Sequence, residues 1–146
     1  MVGEQKLLVI AVGSLLISIA ILVGYSLFKG SAVTTNREQL VTNLMALASK
    51  AQVHYKKPAF MAGGEGSFNN FQLSPGDTGN ANGSYSCSNK KPKNSKYVPG
   101  NTNPIQHSAK KIYIVGCGKE IGTNHRDVVK VYIIVTQDAF ETKILN

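Results

Sequence analysis

The chain reads as an α+β protein: one long N-terminal helix, apolar in its first half and amphipathic in its second, packed on a small antiparallel sheet with long loops. Three observations predict this. Leu7 to Phe28 is a run of twenty-two residues without a charge or a proline, long enough to cross the hydrocarbon of a bilayer as one helix. After Lys29 and Gly30 a helical pattern resumes and continues toward Tyr55. Beyond Pro58, short stretches of β-branched and aromatic residues alternate with Gly, Asn and Ser, the texture of strands and turns. The implied division is residues 1–56 as helix and 57–146 as a β-rich head.

Size and charge narrow the function classes. With the first 56 of 146 residues in the helix, about 90 remain, one small domain whose core is only marginally sufficient by itself. Sixteen basic and eight acidic residues give a net charge of +8. Five basic and two acidic residues fall in 1–56, and eleven and six in the rest. Charge spread this way argues against a nucleic-acid partner beyond non-specific contact. Lys90, Lys91, Lys93 and Lys96 do cluster, but among Ser, Asn and Pro with only Tyr97 as an aromatic. That composition fits a solvated loop, with an anion-binding or adhesive patch as the alternative.

The apolar run is too long for the 7 to 15 apolar residues of a cleaved secretory signal, and its leading flank is mixed, Lys6 being offset by Glu4. Gly30, Ser31 and Ala32 keep a cleavage near Ser31 to Val33 open. Gly13, Ser14, Ser18, Ala20, Gly24 and Ser26 interrupt the large aliphatics, and small residues let helices approach closely in a nonaqueous setting. Glycine weakens a helix by about 1 kcal/mol relative to alanine, which marks Gly24 and Gly30 as points of flexibility. An ordinary single membrane anchor with unremarkable small residues remains the alternative.

From Asn36 to Lys56, Leu40, Leu44, Leu47 and Ala51 recur at spacings of four, three and four, with Arg37, Gln39, Asn43 and Lys50 on other faces. This is an amphipathic helix whose stripe can cover the head. Thr35 with Glu38 three residues later fits a capping box and predicts a restart of the helix if the chain unwinds between Lys29 and Thr34. Pro58 bars continuation, so the helix should end near Tyr55 or Lys56.

Residues 63–73 read as an irregular glycine-rich loop, and 74–107 as mostly surface loop with one short strand at Asn82–Ser88. Stronger strands are Lys111–Cys117 and Val128–Thr136, with a turn over Gly118–Asp127 and a last strand at Phe140–Leu145. Together they predict a meander whose apolar face is covered by the Leu40, Leu44, Leu47, Ala51 stripe. Cys87 and Cys117 are the only cysteines. An even pair beyond a membrane segment reads as a disulfide, with two free buried thiols as the alternative. His107 and His125 lack metal-ligand spacing to either cysteine, and His54 reads as a surface or packing residue. No phosphate-binding loop, nucleophile motif or carboxylate pair is present, and GGEG at 63–66 lacks the Lys and Ser or Thr of a phosphate loop. No enzyme, cofactor or metal is expected.

A glycine and a glutamate just ahead of an apolar N-terminal helix, an amphipathic continuation and a small β-rich head with two cysteines together resemble the type IV pilins and pilin-like proteins. The segment AQVHYKKPAFMAGGEGSF, residues 51–68, is similar to a pattern of pilin-like proteins in which aromatic and basic residues end the helix before a glycine-rich loop. The resemblance implies an inner-membrane subunit that an assembly machine, after cleavage by a prepilin peptidase, packs with identical subunits into an extracellular filament. Its role would be adhesion, motility or DNA uptake. It implies assembly contacts through Glu4, Leu7, Leu8, Ile10, Leu15, Leu16, Ile19, Leu22, Leu27 and Phe28, and processing at Gly3. Two features depart from the family pattern. Cleavage after Gly3 makes Glu4 the first residue and leaves Leu8 at the fifth position, where the family has a glutamate; counted from Met1, Glu4 is one place early. The family's helix-kinking proline is absent. A minor pilin or secretion pseudopilin, and a monomeric membrane-anchored surface protein, are the competing readings. Asn82-Gly83-Ser84 matches an N-linked glycosylation acceptor.

Overall fold

A computed structural model describes residues 2–92, 103–106 and 108–146. Lys93, Lys96, Tyr97 and His107 lie outside the described residues. Helix α1 runs unbroken over Val2–Lys56, 55 residues, about 82 Å at 1.5 Å per residue. The five strands are β1 Gly79–Asn80, β2 Gly83–Ser88, β3 Ile112–Ile121, β4 Val128–Val135 and β5 Phe140–Ile144. They form one antiparallel meander in the order β1-β2-β3-β4-β5. The α+β class holds, with a long helix packed on a five-stranded sheet.

Two boundaries differ from the sequence reading. The helix does not restart at Thr35, which lies exposed in mid-helix. A capping residue acts only where the preceding turn leaves the helix, and here Thr34 Oγ1 donates back to the Gly30 carbonyl at 3.1 Å within a continuous helix. Val33, two residues before, is already anchored in the core. Second, β3 continues beyond Gly118 to Ile121 through a register irregularity between Cys117 and Ile121. The turn is therefore shorter than expected, closed by Gly122 N donating to Asp127 O at 2.7 Å.

The core forms where the second half of α1 crosses the sheet. Val33, Leu40, Leu44, Leu47, Ala48, Ala51 and Tyr55 make a single buried stripe. It faces Tyr85 and Cys87 of β2, Ile112 and Ile114 of β3, and Val129, Val131, Ile133 and Val135 of β4, the alternate residues of each strand, as period two requires. The four stripe residues picked from spacing are all buried. Close approach depends on a glycine saddle: Gly83 and Gly118 are cross-strand partners, and a Cβ on Gly118 would run into the Asn36 side chain. Asn36 Nδ2 donates to Asn82 O at 2.9 Å, tying the helix to the β1–β2 turn.

The glycine-rich segment after the helix is its C-terminal cap. Gly64 N donates to His54 O at 2.8 Å, Gly66 N to Tyr55 O at 2.9 Å and Glu65 N to Lys57 O at 3.0 Å, satisfying carbonyls that a helix end leaves open. A Cβ on Gly64 would collide with the Ser67 carbonyl. Residues 103–106 then run back across this region, with Ile105 buried and bonded through its N–H to Phe71 O at 2.9 Å.

The disulfide expectation is corrected. Cys87 and Cys117 are both free and buried. Cys87 pairs across the ladder with Ile114, whereas Cys117 pairs with Ser84. The two are thus offset by three residues along neighbouring strands, about 10 Å, and an odd offset puts them on opposite faces. Cys87 belongs to the helix-facing core; Cys117 lies on the other face with Val115 and Tyr132. A disulfide needs Cα atoms within roughly 7 Å and converging side chains, so this sheet cannot bridge them.

Candidate membrane and assembly surface

The first half of α1 projects from the head, and among the described residues nothing buries its most apolar stretch. That stretch meets the length and composition of a membrane span. Leu7, Leu8, Val9 and Ile10 are all strongly exposed, and four consecutive helical residues at 100° each point in every direction. Leu15, Leu16, Ile19, Leu22, Leu27 and Phe28 are likewise exposed, between 50% and 75%. A helix apolar all round is stable only where lipid or other helices surround it. Two of its hydroxyls suit such a setting: Ser14 Oγ donates to Ala11 O at 2.9 Å and Ser18 Oγ to Ser14 O at 2.8 Å, so both are satisfied within the helix.

The helix passes through Gly24 and Gly30 without interruption, and a Cβ on either would meet nothing. Gly3 and Glu4 lie in the exposed first turns, where the carboxylate of Glu4 complements the positive end of the helix dipole. Glu4 and Lys6 form no ion pair among the described residues, since positions two apart diverge on a helix. Asn82 is half-buried in the tight turn between β1 and β2, its N–H bonded to Asn80 Oδ1 at 2.9 Å.

Where the helix enters the head, a cavity of about 530 Å³ opens between Tyr25, Lys29, Val33 and Arg37 on one side and Ile121, Gly122, Thr123 and His125 at the β3–β4 tip on the other. The tip is stiff: Asn124 Oδ1 accepts from Arg126 N and Asp127 N, both at 3.1 Å, and His125 holds a left-handed φ of 55°. The pattern Tyr25, Lys29, Val33, Arg37, every fourth residue, continues the buried stripe outward along one helix face. That spacing was legible in the sequence; its meeting with the hairpin tip was not.

At the far end of the head, His54 Nε2 lies 2.9 Å from Asn69 O and its ring packs on Phe71, a packing role. Phe60 there is 88% exposed. Lys50 Nζ bonds Asp77 Oδ1 at 2.7 Å, and this hydrogen bond holds the Asp77 carboxyl below its ordinary value despite some desolvation. Burial pushes the thiols of Cys87 and Cys117 up, away from reactive thiolate. Among the described residues no group of His, Cys, Asp and Glu is placed to hold a metal ion. Comparison with protein families, characterised proteins and solved structures finds no match to this chain.

Proposed function

We propose that this chain is the structural, non-catalytic subunit of a type IV pilus-like filament. It resides in the inner membrane through the first half of α1 and is then packed, after prepilin peptidase processing, into an extracellular homopolymer for adhesion, motility or DNA uptake. One observation supports the reading above the rest: the all-round apolar half of α1 continues without a break into the half that forms the core of the head. A simple anchor needs no stiff connection to its domain. A subunit that must hold its head at a fixed angle to a helical core does, because each copy repeats one heterologous, non-closing contact. In such a core Glu4 requires a partner, an N-terminal amine of the same or a neighbouring subunit or Lys6 of a neighbouring one, since an unpaired buried charge costs several kcal/mol. Normal assembly of a Glu4→Ala variant contradicts that pairing.

A membrane-anchored monomer is the second reading. The unburied apolar stretch of α1 meets the length and composition of a membrane span by itself, and an anchor needs no second subunit. Fractionation separates the alternatives: the filament reading expects the chain in the pellet of sheared surface material, a minor pilin or pseudopilin leaves traces in the envelope, and an anchored monomer remains in detergent-soluble membranes.

A further inference from the structure

The cavity at the base of the head lies where a membrane surface would be, and its charged lining is of one sign. We propose that it binds the phosphate headgroup of an anionic glycerophospholipid while α1 is embedded in the bilayer. The inference rests on the membrane-embedded stage of the function proposed above, and not on filament formation.

Position comes first. If Leu7–Phe28 occupies the hydrocarbon, Lys29 begins the headgroup layer, which adds about 5 to 7 Å on each side of the core. Arg37 is eight residues further, about 12 Å along the axis, and helical side chains lean back toward the N-terminus, here toward the membrane. Both residues line the same cavity, so the two cations bracket the depth of a lipid phosphate.

Chemistry comes second. Lys29, Arg37 and His125 line the cavity, with no acidic residue among the described residues of its walls. Arg37 is only partly used: Nη2 donates to Asn146 O at 3.1 Å, while its buried Nε has no hydrogen-bond partner. A phosphate oxygen in the cavity would accept from the guanidinium's Nη donors, which are not among its buried, unpartnered atoms, in the charge-assisted geometry that guanidinium favours. Tyr25, Val33 and Ile121 give the opening an aromatic and apolar border, which suits glycerol and the upper acyl chain better than a free hydrated anion. Tyrosine at this level also matches the aromatic belts of membrane interfaces. The backbone hydrogen bonds of the hairpin tip preform the opposite wall.

The test uses the full-length chain. Flotation with vesicles of phosphatidylcholine and phosphatidylglycerol first measures insertion; failure to float overturns both the membrane stage and the site. Native mass spectrometry from detergent, with the two lipids at equal concentration, then measures retention. We expect one retained phosphatidylglycerol favoured at least fivefold over phosphatidylcholine. Arg37→Gln and Lys29→Gln should each weaken it about fivefold, the scale for one basic residue at an anionic surface. Lys57→Gln, which removes the same charge from the exposed far end of the head, should change nothing. Lys29 lies outside the core, so its variant tests the cavity even where Arg37→Gln disturbs folding. Insertion with equal retention of the two lipids overturns the site alone. So does an equal effect of Lys57→Gln, or complete displacement of lipid by millimolar inorganic phosphate, which marks a free-anion site.

Discussion

The separation of Cys87 and Cys117 onto opposite sheet faces can be tested by reduction. Adjacent strands lie about 4.8 Å apart, and the three-residue offset adds about 10 Å along them, so the Cα atoms stand roughly 11 Å apart, against a usual bridged range of 4.4 to 6.8 Å. If a bridge formed, it would close a loop of about 30 residues and contribute about 3 to 4 kcal/mol by loop entropy. For a head of about 90 residues that is a shift in Tm of about 15 to 30 °C. The assay is thermal unfolding of the full chain in detergent, with and without dithiothreitol, alongside thiol titration under non-reducing conditions. The expected result is no shift in Tm, negligible thiol reaction in the folded protein and two reactive thiols after unfolding, since both sulfurs are buried and held as thiols. A bridged peptide in the non-reduced digest, or a fall in Tm of ten degrees on reduction, refutes the strand register itself.

Three further outcomes follow from particular contacts. Leu44→Ala, at a fully buried stripe position, should cost about 2 to 5 kcal/mol in denaturant unfolding, while Val53→Ala on the exposed face of the same helix should stay within about 0.5 kcal/mol. Gly64→Ala should destabilise the head by roughly 1 to 3 kcal/mol, because its Cβ collides with the Ser67 carbonyl of the helix cap; an unchanged melting curve contradicts the cap. Asp77→Asn removes the partner of Lys50. Its carboxyl is lowered from the ordinary value of 3.8, so the pair's stabilisation is complete above that pH and disappears as the pH falls through the lower folded value. Wild type should exceed the variant by no more than about 1 kcal/mol at neutral pH, the pair being partly exposed. The two should converge in acid, as followed by circular dichroism.

Much of this architecture was legible because it rests on short-range periodicity. The four-three-four spacing of Leu40, Leu44, Leu47 and Ala51 located the helix face that covers the sheet, and Pro58 located its end. Alternation placed β2, β4 and β5 to within a residue or two at their ends. What failed was set by register and by neighbours. Thr35 and Glu38 carry a capping signature, but Val33 is held in the core two residues earlier and the helix has no reason to break. The cysteines had the parity of a disulfide, yet parity in a sequence says nothing about which face of a sheet each residue takes. GGEG at 63–66 looked like loose loop because the open carbonyls of His54, Tyr55 and Lys57 that it satisfies belong to a different element. The basal cavity was hidden for the same reason: Arg37 and His125 meet only after the β3–β4 hairpin folds back to the helix.

The most direct test of the central claim is electron cryomicroscopy of material sheared from intact cells, with mass spectrometry of the N-terminal peptide. The account predicts thin helical filaments built of this chain, the apolar halves of α1 bundled at the axis and the sheet outward, with a peptide that identifies the mature first residue. Recovery of the chain only as a membrane-bound monomer, with no filament in the sheared fraction, would contradict it and leave Leu7–Phe28 as an anchor.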